Sequence, residues 1–136
     1  MVRKDAAVIA LSRFVDRLLG VLEPKPFLTD LQAFLAPVRR LGLLNSLNQV
    51  LFKLTSPGVP DVYQGCETWQ FNLVDPDNRR PVDFDTMRAV LSSVQVEFGK
   101  GPLSDETLRR WIDDPEEGHI KMLLSWRLLT LRRLVP

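Results

Sequence analysis

The sequence predicts a mainly α fold, an irregular helical cluster with one long ordered loop and at most a short strand. Apolar residues recur at helical spacing through most of the 136 residues. Residues 57–84, "PGVPDVYQGCETWQFNLVDPDNRRPVDF", break that period. Loops so long are functional or disordered in compact domains, and Tyr63, Trp69, Phe71 and Phe84 make this one too aromatic for disorder.

Each element has its own justification. From Asp5 to Leu22, residues Val8, Leu11, Phe14, Val15, Leu18, Leu19 and Leu22 share one face. Pro24 and Pro26 end that helix, because proline lacks the amide hydrogen and clashes with the preceding turn. A second helix turns Phe27, Leu31, Phe34, Leu35, Val38 and Leu41 inward, with Gly42 as its expected stop. A third, Leu43 to Leu54, has Leu44, Leu47, Val50, Leu51 and Leu54 as its apolar face, and Pro57 halts it. Asp61 to Gln64 is the short strand, closed by Gly65. One strand cannot close a sheet, so it is expected either to go unpaired or to pair with a second copy of the chain.

Helical period returns at Asp85, the expected N-cap, with Met87, Val90, Leu91, Val94 and Phe98 buried. Ser104 caps a short helix that ends by Asp113-Asp114-Pro115, its first turn carrying Asp105 and Glu106 where the helix dipole favours them. The last helix runs from Gly118 to Leu134, with Ile120, Leu123, Leu124, Trp126, Leu128 and Leu131 apolar. The chain reads as a single helical piece, 1–136, with N-terminal helices in 1–56, a strand and loop in 57–84, and C-terminal helices in 85–136.

Eighteen basic against seventeen acidic residues leave a net charge of +1. That balance excludes a basic footprint for nucleic acid and a charged block for a membrane surface. One cysteine suits a reducing compartment, no apolar run spans a bilayer, and the interrupted N-terminus is no secretory signal, so a cytoplasmic location is expected.

His119 is the only histidine, which excludes a Ser-His-Asp triad and a multi-histidine metal site. It is expected to be exposed or to cap a helix. Cys66 has no partner and reads as a buried thiol rather than a reactive one. Asp75-Pro76-Asp77-Asn78 starts like a calcium loop but fails at Arg79, so no metal is expected. Arg39-Arg40, Arg109-Arg110 and Arg132-Arg133 are solvated faces or C-terminal dipole partners. Arg79-Arg80 differs, lying in the loop among Asp75, Asp77, Asn78 and Asp83. Either the loop is held by its own ion pairs, or guanidinium and carboxylates hold sugar hydroxyls beside an aromatic platform.

Residues 45–84, "NSLNQVLFKLTSPGVPDVYQGCETWQFNLVDPDNRRPVDF", closely resemble the late catalytic-domain segment of maltooligosyl trehalose synthases, in the α-amylase clan. The P-G-x-P-x-x-Y-x-G-x-E part indicates the wider clan, and L-V-D-P-D-N-R-R-P-V-D the trehalose-forming branch. Cys66, where threonine is common, and Asn48, where a small residue is usual, depart from the pattern. The resemblance implies that the chain carries the last strand and flanking helices of a (β/α)₈ barrel, whose active sites form from loops at the C-terminal ends of strands. It implies a maltooligosaccharide as substrate, no cofactor, and an isomerase that converts the reducing-end α-1,4 linkage to α,α-1,1 by intramolecular glucosyl transfer.

Tyr63, Gln64, Glu67, Trp69, Asp77, Asn78, Arg79 and Arg80 are then the expected substrate-binding residues. The family's catalytic carboxylates match no Asp or Glu here, so the chain is expected to be a fragment, inactive by itself. Two alternatives stand beside this: a fragment of another hydrolase or transferase of the clan, and a non-catalytic helical interaction or sugar-binding module.

Overall fold

The computed structural model describes residues 2–19, 26–72 and 79–134. Among them are five α-helices: α1 Val2–Leu18, α2 Pro26–Thr55, α3 Phe84–Gly99, α4 Asp105–Asp113 and α5 His119–Leu134. A 3-10 turn at Pro115–Glu117 links the last two, and no strand occurs among the described residues. The mainly helical expectation holds, and Val62-Tyr63 goes unassigned as a strand.

Two expected helices are one. α2 continues through Pro37 and Gly42 to Thr55. A proline inside a helix costs about 3 kcal/mol, but each flank supplies turns enough to propagate the helix past it. Gly42 stays in helical register because a glycine disfavours a helix without forbidding it. Pro26, expected as a breaker, opens α2 at the first helical position, where its missing amide hydrogen would have had no partner.

Asp83, not Asp85, caps α3. Its carboxylate accepts from the Thr86 backbone N–H at 2.9 Å and from the Thr86 hydroxyl at 2.7 Å. The backbone bond first, then the hydroxyl, hold the Asp83 carboxyl below its ordinary pKa of 3.8. Ser104 caps α4 as expected, accepting from the Thr107 N–H at 3.1 Å.

The chain forms two units, Met1–Gly42 and Leu43–Pro136. In the first, no described side chain is buried, and Val8, Leu11, Phe14, Phe34 and Leu41 are 61–67% exposed. The apolar stripes expected to face inward there are largely exposed, with only Leu18 and Leu31 half-buried among their described positions, since such a stripe is buried only where another element packs on it. In the second unit Leu44 and Leu51 are likewise exposed, while Leu54 is buried.

The core lies in the second unit, where Val94 of α3, Trp111 of α4 and Met122 of α5 pack together. Met87, Val90, Leu91, Leu103, Ile120, Leu123 and Trp126 surround them. Phe98 meets Trp126 edge to face at 5.6 Å, and the Arg127 guanidinium lies 4.5 Å over the Phe98 ring. His119 is neither exposed nor a cap. Its side chain is 14% exposed and its ring stacks on Trp111 at 5.3 Å. The left-handed turn at Gly118, φ +74°, starts α5 beside α4, and so brings His119, the first residue of α5, onto Trp111 of α4.

Trp111→Ala is expected to lower stability by about 3–5 kcal/mol, seen as a fall in the urea midpoint. Phe34→Ala, at an uncovered position, should change it by about 0.5 kcal/mol or less.

Candidate functional site

The irregular segment after α2 is fixed at two points by cations of α5, at its start and at Thr68. At its start, Arg132 Nη1 donates to the Leu54 carbonyl at 2.9 Å and to the Ser56 carbonyl at 2.8 Å, and Nη2 donates to the Gly58 carbonyl. The last turn of a helix leaves carbonyls without internal partners, and a guanidinium fork is suited to collect them. Arg132 was expected to serve a helix C-terminus, and it serves that of α2 as well as lying at that of α5.

Further on, the chain turns tightly at Gly65, φ +83°, whose carbonyl accepts from Gln70 Nε2 at 2.9 Å. A Cβ at Gly65 would lie 3.1 Å from both that nitrogen and Val82 Cγ2, so a side chain there meets backbone strain and crowding together. Cys66 donates its N–H to the Tyr63 carbonyl at 3.3 Å within this turn.

Lys121 holds the next stretch. Its Nζ donates to the Thr68 carbonyl at 2.8 Å and lies 5.2 Å from the Trp69 ring centroid, so the ammonium has a carbonyl on one side and a π face on another. The residue is only 6% exposed. Burial pushes its pKa below the ordinary 10.5; Cys66 opposes the shift, Lys53 adds to it, and Glu67 opposes it. Gly118 makes the approach possible, because a Cβ there would sit 3.1 Å from Thr68 Cγ2.

Between α2, this segment and α5 lies a cleft of about 260 Å³. Its polar wall is Ser46, Gln49, Lys53, Glu67, Lys121 and Ser125. Val50, Leu54, Val62 and Leu129 supply apolar lining, with Cys66 at the turn. Glu67 Oε2 and Trp69 Nε1 are buried without a hydrogen-bond partner among the described residues. His119 Nδ1 lies 3.1 Å from Glu117 Oε2, off the line of a hydrogen bond.

The residues expected to bind substrate are thus distributed unevenly. Glu67 and Trp69 are half-buried and both meet Lys121, one through charge and one through its ring. Tyr63 and Gln64 are exposed and stand outside the cleft. Arg79 and Arg80 are exposed, and each is engaged in an interaction. Asp77 and Asn78 lie outside the described residues, as does the rest of the calcium-like run. Cys66, expected as a buried thiol, is half-buried. No group of three or more metal-ligating side chains occurs among the described residues.

Sequence reasoning missed Lys53, Lys121 and Ser125. The signal for the last two was present: a lysine and a serine four apart on α5, one turn apart on the same helix side, both buried.

Seventy residues, 52% of this chain, are 47% identical to proteins of two Mycobacterium tuberculosis strains, CDC 1551 / Oshkosh and ATCC 25618 / H37Rv. Both bear the name "Putative maltooligosyl trehalose synthase". Over that stretch the chain is homologous to these two proteins. The match spans 9% of the length of those maltooligosyl trehalose synthase relatives. No protein-family model matches the chain, and no solved structure matches it.

The depressed pKa of Lys121 has a signed consequence. Between the folded value and 10.5 the unfolded chain holds the proton that the folded chain has lost, so Lys121 contributes a rise in stability with pH across that window. That contribution is present above 10.5 and lost as pH falls through the folded value. In urea titrations from neutral pH upward, Lys121→Met is expected to show a smaller alkaline rise, or a steeper alkaline fall, than the parent chain. Parallel pH profiles for the two would contradict it.

Proposed function

We propose that this chain is a segment of a maltooligosyl trehalose synthase. The complete protein would convert the reducing-end α-1,4 linkage of a maltooligosaccharide to an α,α-1,1 linkage by intramolecular transglycosylation. The observation that carries this reading is the 47% identity over 70 residues to proteins of that name. The loop motif from Tyr63 to Asp83 supports it.

The chemistry divides between groups. A carboxylate nucleophile forms a glycosyl-enzyme intermediate while a second carboxyl protonates the leaving oxygen. The released glucose turns in the pocket, and its anomeric hydroxyl attacks in place of water. Water must therefore be kept out, which asks for a wall that stays in position. In this reading the segment pinned by Lys121, Gln70 and Arg132 is part of that wall. Trp69 offers an apolar ring, Arg79 and Arg80 offer guanidinium forks for adjacent hydroxyls, and Asp77 and Asn78 offer acceptors.

The cleft among the described residues has one carboxylate, Glu67. Two carboxylates about 5–5.5 Å apart are needed for retaining glycosyl transfer. The 136-residue chain by itself is therefore expected to be catalytically silent.

Incubating the complete protein with maltopentaose is expected to deplete reducing ends as a non-reducing product forms, with no activity from the 136-residue chain. Steady growth of reducing ends would identify a hydrolase of the same clan instead. Turnover by the 136-residue chain that survives further purification would overturn the division of groups proposed here.

A further inference from the structure

The cleft between α2 and α5 has more donors than acceptors. Lys53 and Lys121 bring ammonium groups, and Ser46, Gln49 and Ser125 bring further donors. Facing them among the described residues is a single carboxylate, Glu67, whose Oε2 is buried and receives no hydrogen bond. Glu67 and Lys121 are near enough to feel each other's charge, yet they make no ion pair. A buried carboxylate oxygen without a donor is an unfavourable arrangement that a ligand can relieve.

The two needs differ in sign. The ammonium pair calls for an oxyanion, and Glu67 Oε2 calls for an O–H. We propose that this cleft binds a small hydroxylated oxyanion, with the anionic oxygens between Lys53 and Lys121 and a hydroxyl donating to Glu67 Oε2. Val50, Leu54, Val62 and Leu129 face the ligand's carbon skeleton. The volume of about 260 Å³ lies just under the usual range for ligand pockets, which limits the ligand to roughly one ring or a short chain. The oxyanion can belong to a hydroxycarboxylate or to a sugar phosphate. A neutral sugar lacks the anion, and a simple carboxylate lacks the hydroxyl. The cleft is lined by residues other than those assigned to the transglycosylation pocket, apart from Glu67, so its failure to bind leaves the transglycosylation reading untouched.

Cys66 reports on occupancy, being the sole cysteine, half-buried and part of the cleft lining. Its alkylation by iodoacetamide is followed in the 136-residue chain with gluconate, glucose 6-phosphate, glucose or propionate. Isothermal titration of the same four probes registers a ligand that binds while leaving the thiol open. Gluconate, glucose 6-phosphate or both are expected to bind and to slow alkylation by about tenfold near saturation, and which of them acts identifies the source of the oxyanion. Lys53→Met removes an exposed ammonium and is expected to raise the half-protecting concentration by about tenfold, the loss of a charge-assisted contact. Three outcomes overturn the proposal: neither anion binds, glucose or propionate binds as tightly as the anions, or Lys53→Met leaves the affinity unchanged.

Discussion

A buried ammonium must be given partners, and Lys121 is the buried cation that holds the irregular segment of the second unit to α5. The desolvation penalty for such a charge is several kcal/mol, and a hydrogen bond to a charged group returns about 1.5–3 kcal/mol. The Thr68 carbonyl and the Trp69 ring offset part of that penalty, the remainder showing as the lowered pKa, and by doing so they fasten an irregular stretch to α5. Everything that makes the stretch usable follows from that fastening. Gly118 has no side chain because Thr68 lies against it, and Glu67 is brought to the cleft wall one residue before the anchored carbonyl. Arg132 repeats the device about three turns later on the same helix, gathering the carbonyls at the end of α2. α5 thus acts as a rail with a cation near each end, and the backbone between Leu54 and Thr68 is spanned between them.

Much of this helical framework was legible in the sequence, and the misses have distinct causes. Ser104 caps α4 because its local geometry needs only the next three residues, and such signals are read well from sequence. The boundary at Asp83 instead of Asp85 is a choice between two good caps, settled by where the loop before it leaves the backbone. The break expected at Gly42 failed because glycine weakens a helix without ending it, and no proline or cap follows to finish the job. The stripes of α1 and of the first half of α2 are apolar as expected but largely exposed, whereas Leu47 and Val50 are half-buried and Leu54 is buried: spacing shows which residues share a face, never what lies against it.

The site was less legible than the fold. Glu67 and Trp69 were expected from the family resemblance of the loop, but the lysine that organises them stands 53 residues from Thr68 in sequence. No local pattern connects such a pair. Within α5, Lys121 stands between Ile120 and Met122 in sequence, and its burial depends on a partner that periodicity cannot show. His119 illustrates the same limit, since its stacking on Trp111 requires the turn at Pro115–Gly118 to bring α4 and α5 together. Similarity to two proteins named as putative maltooligosyl trehalose synthases covers about half of the chain; the physical reason for the course of residues 57–68 comes from α5.

Hydrogen exchange on Lys121→Met tests that account most directly. The methionine keeps an unbranched side chain of similar length and removes the ammonium. The account predicts faster exchange at the amides of residues 65–70, with α3 and the Trp111–Met122 core exchanging as in the parent chain. Unchanged protection across 65–70 in a folded Lys121→Met chain would contradict it.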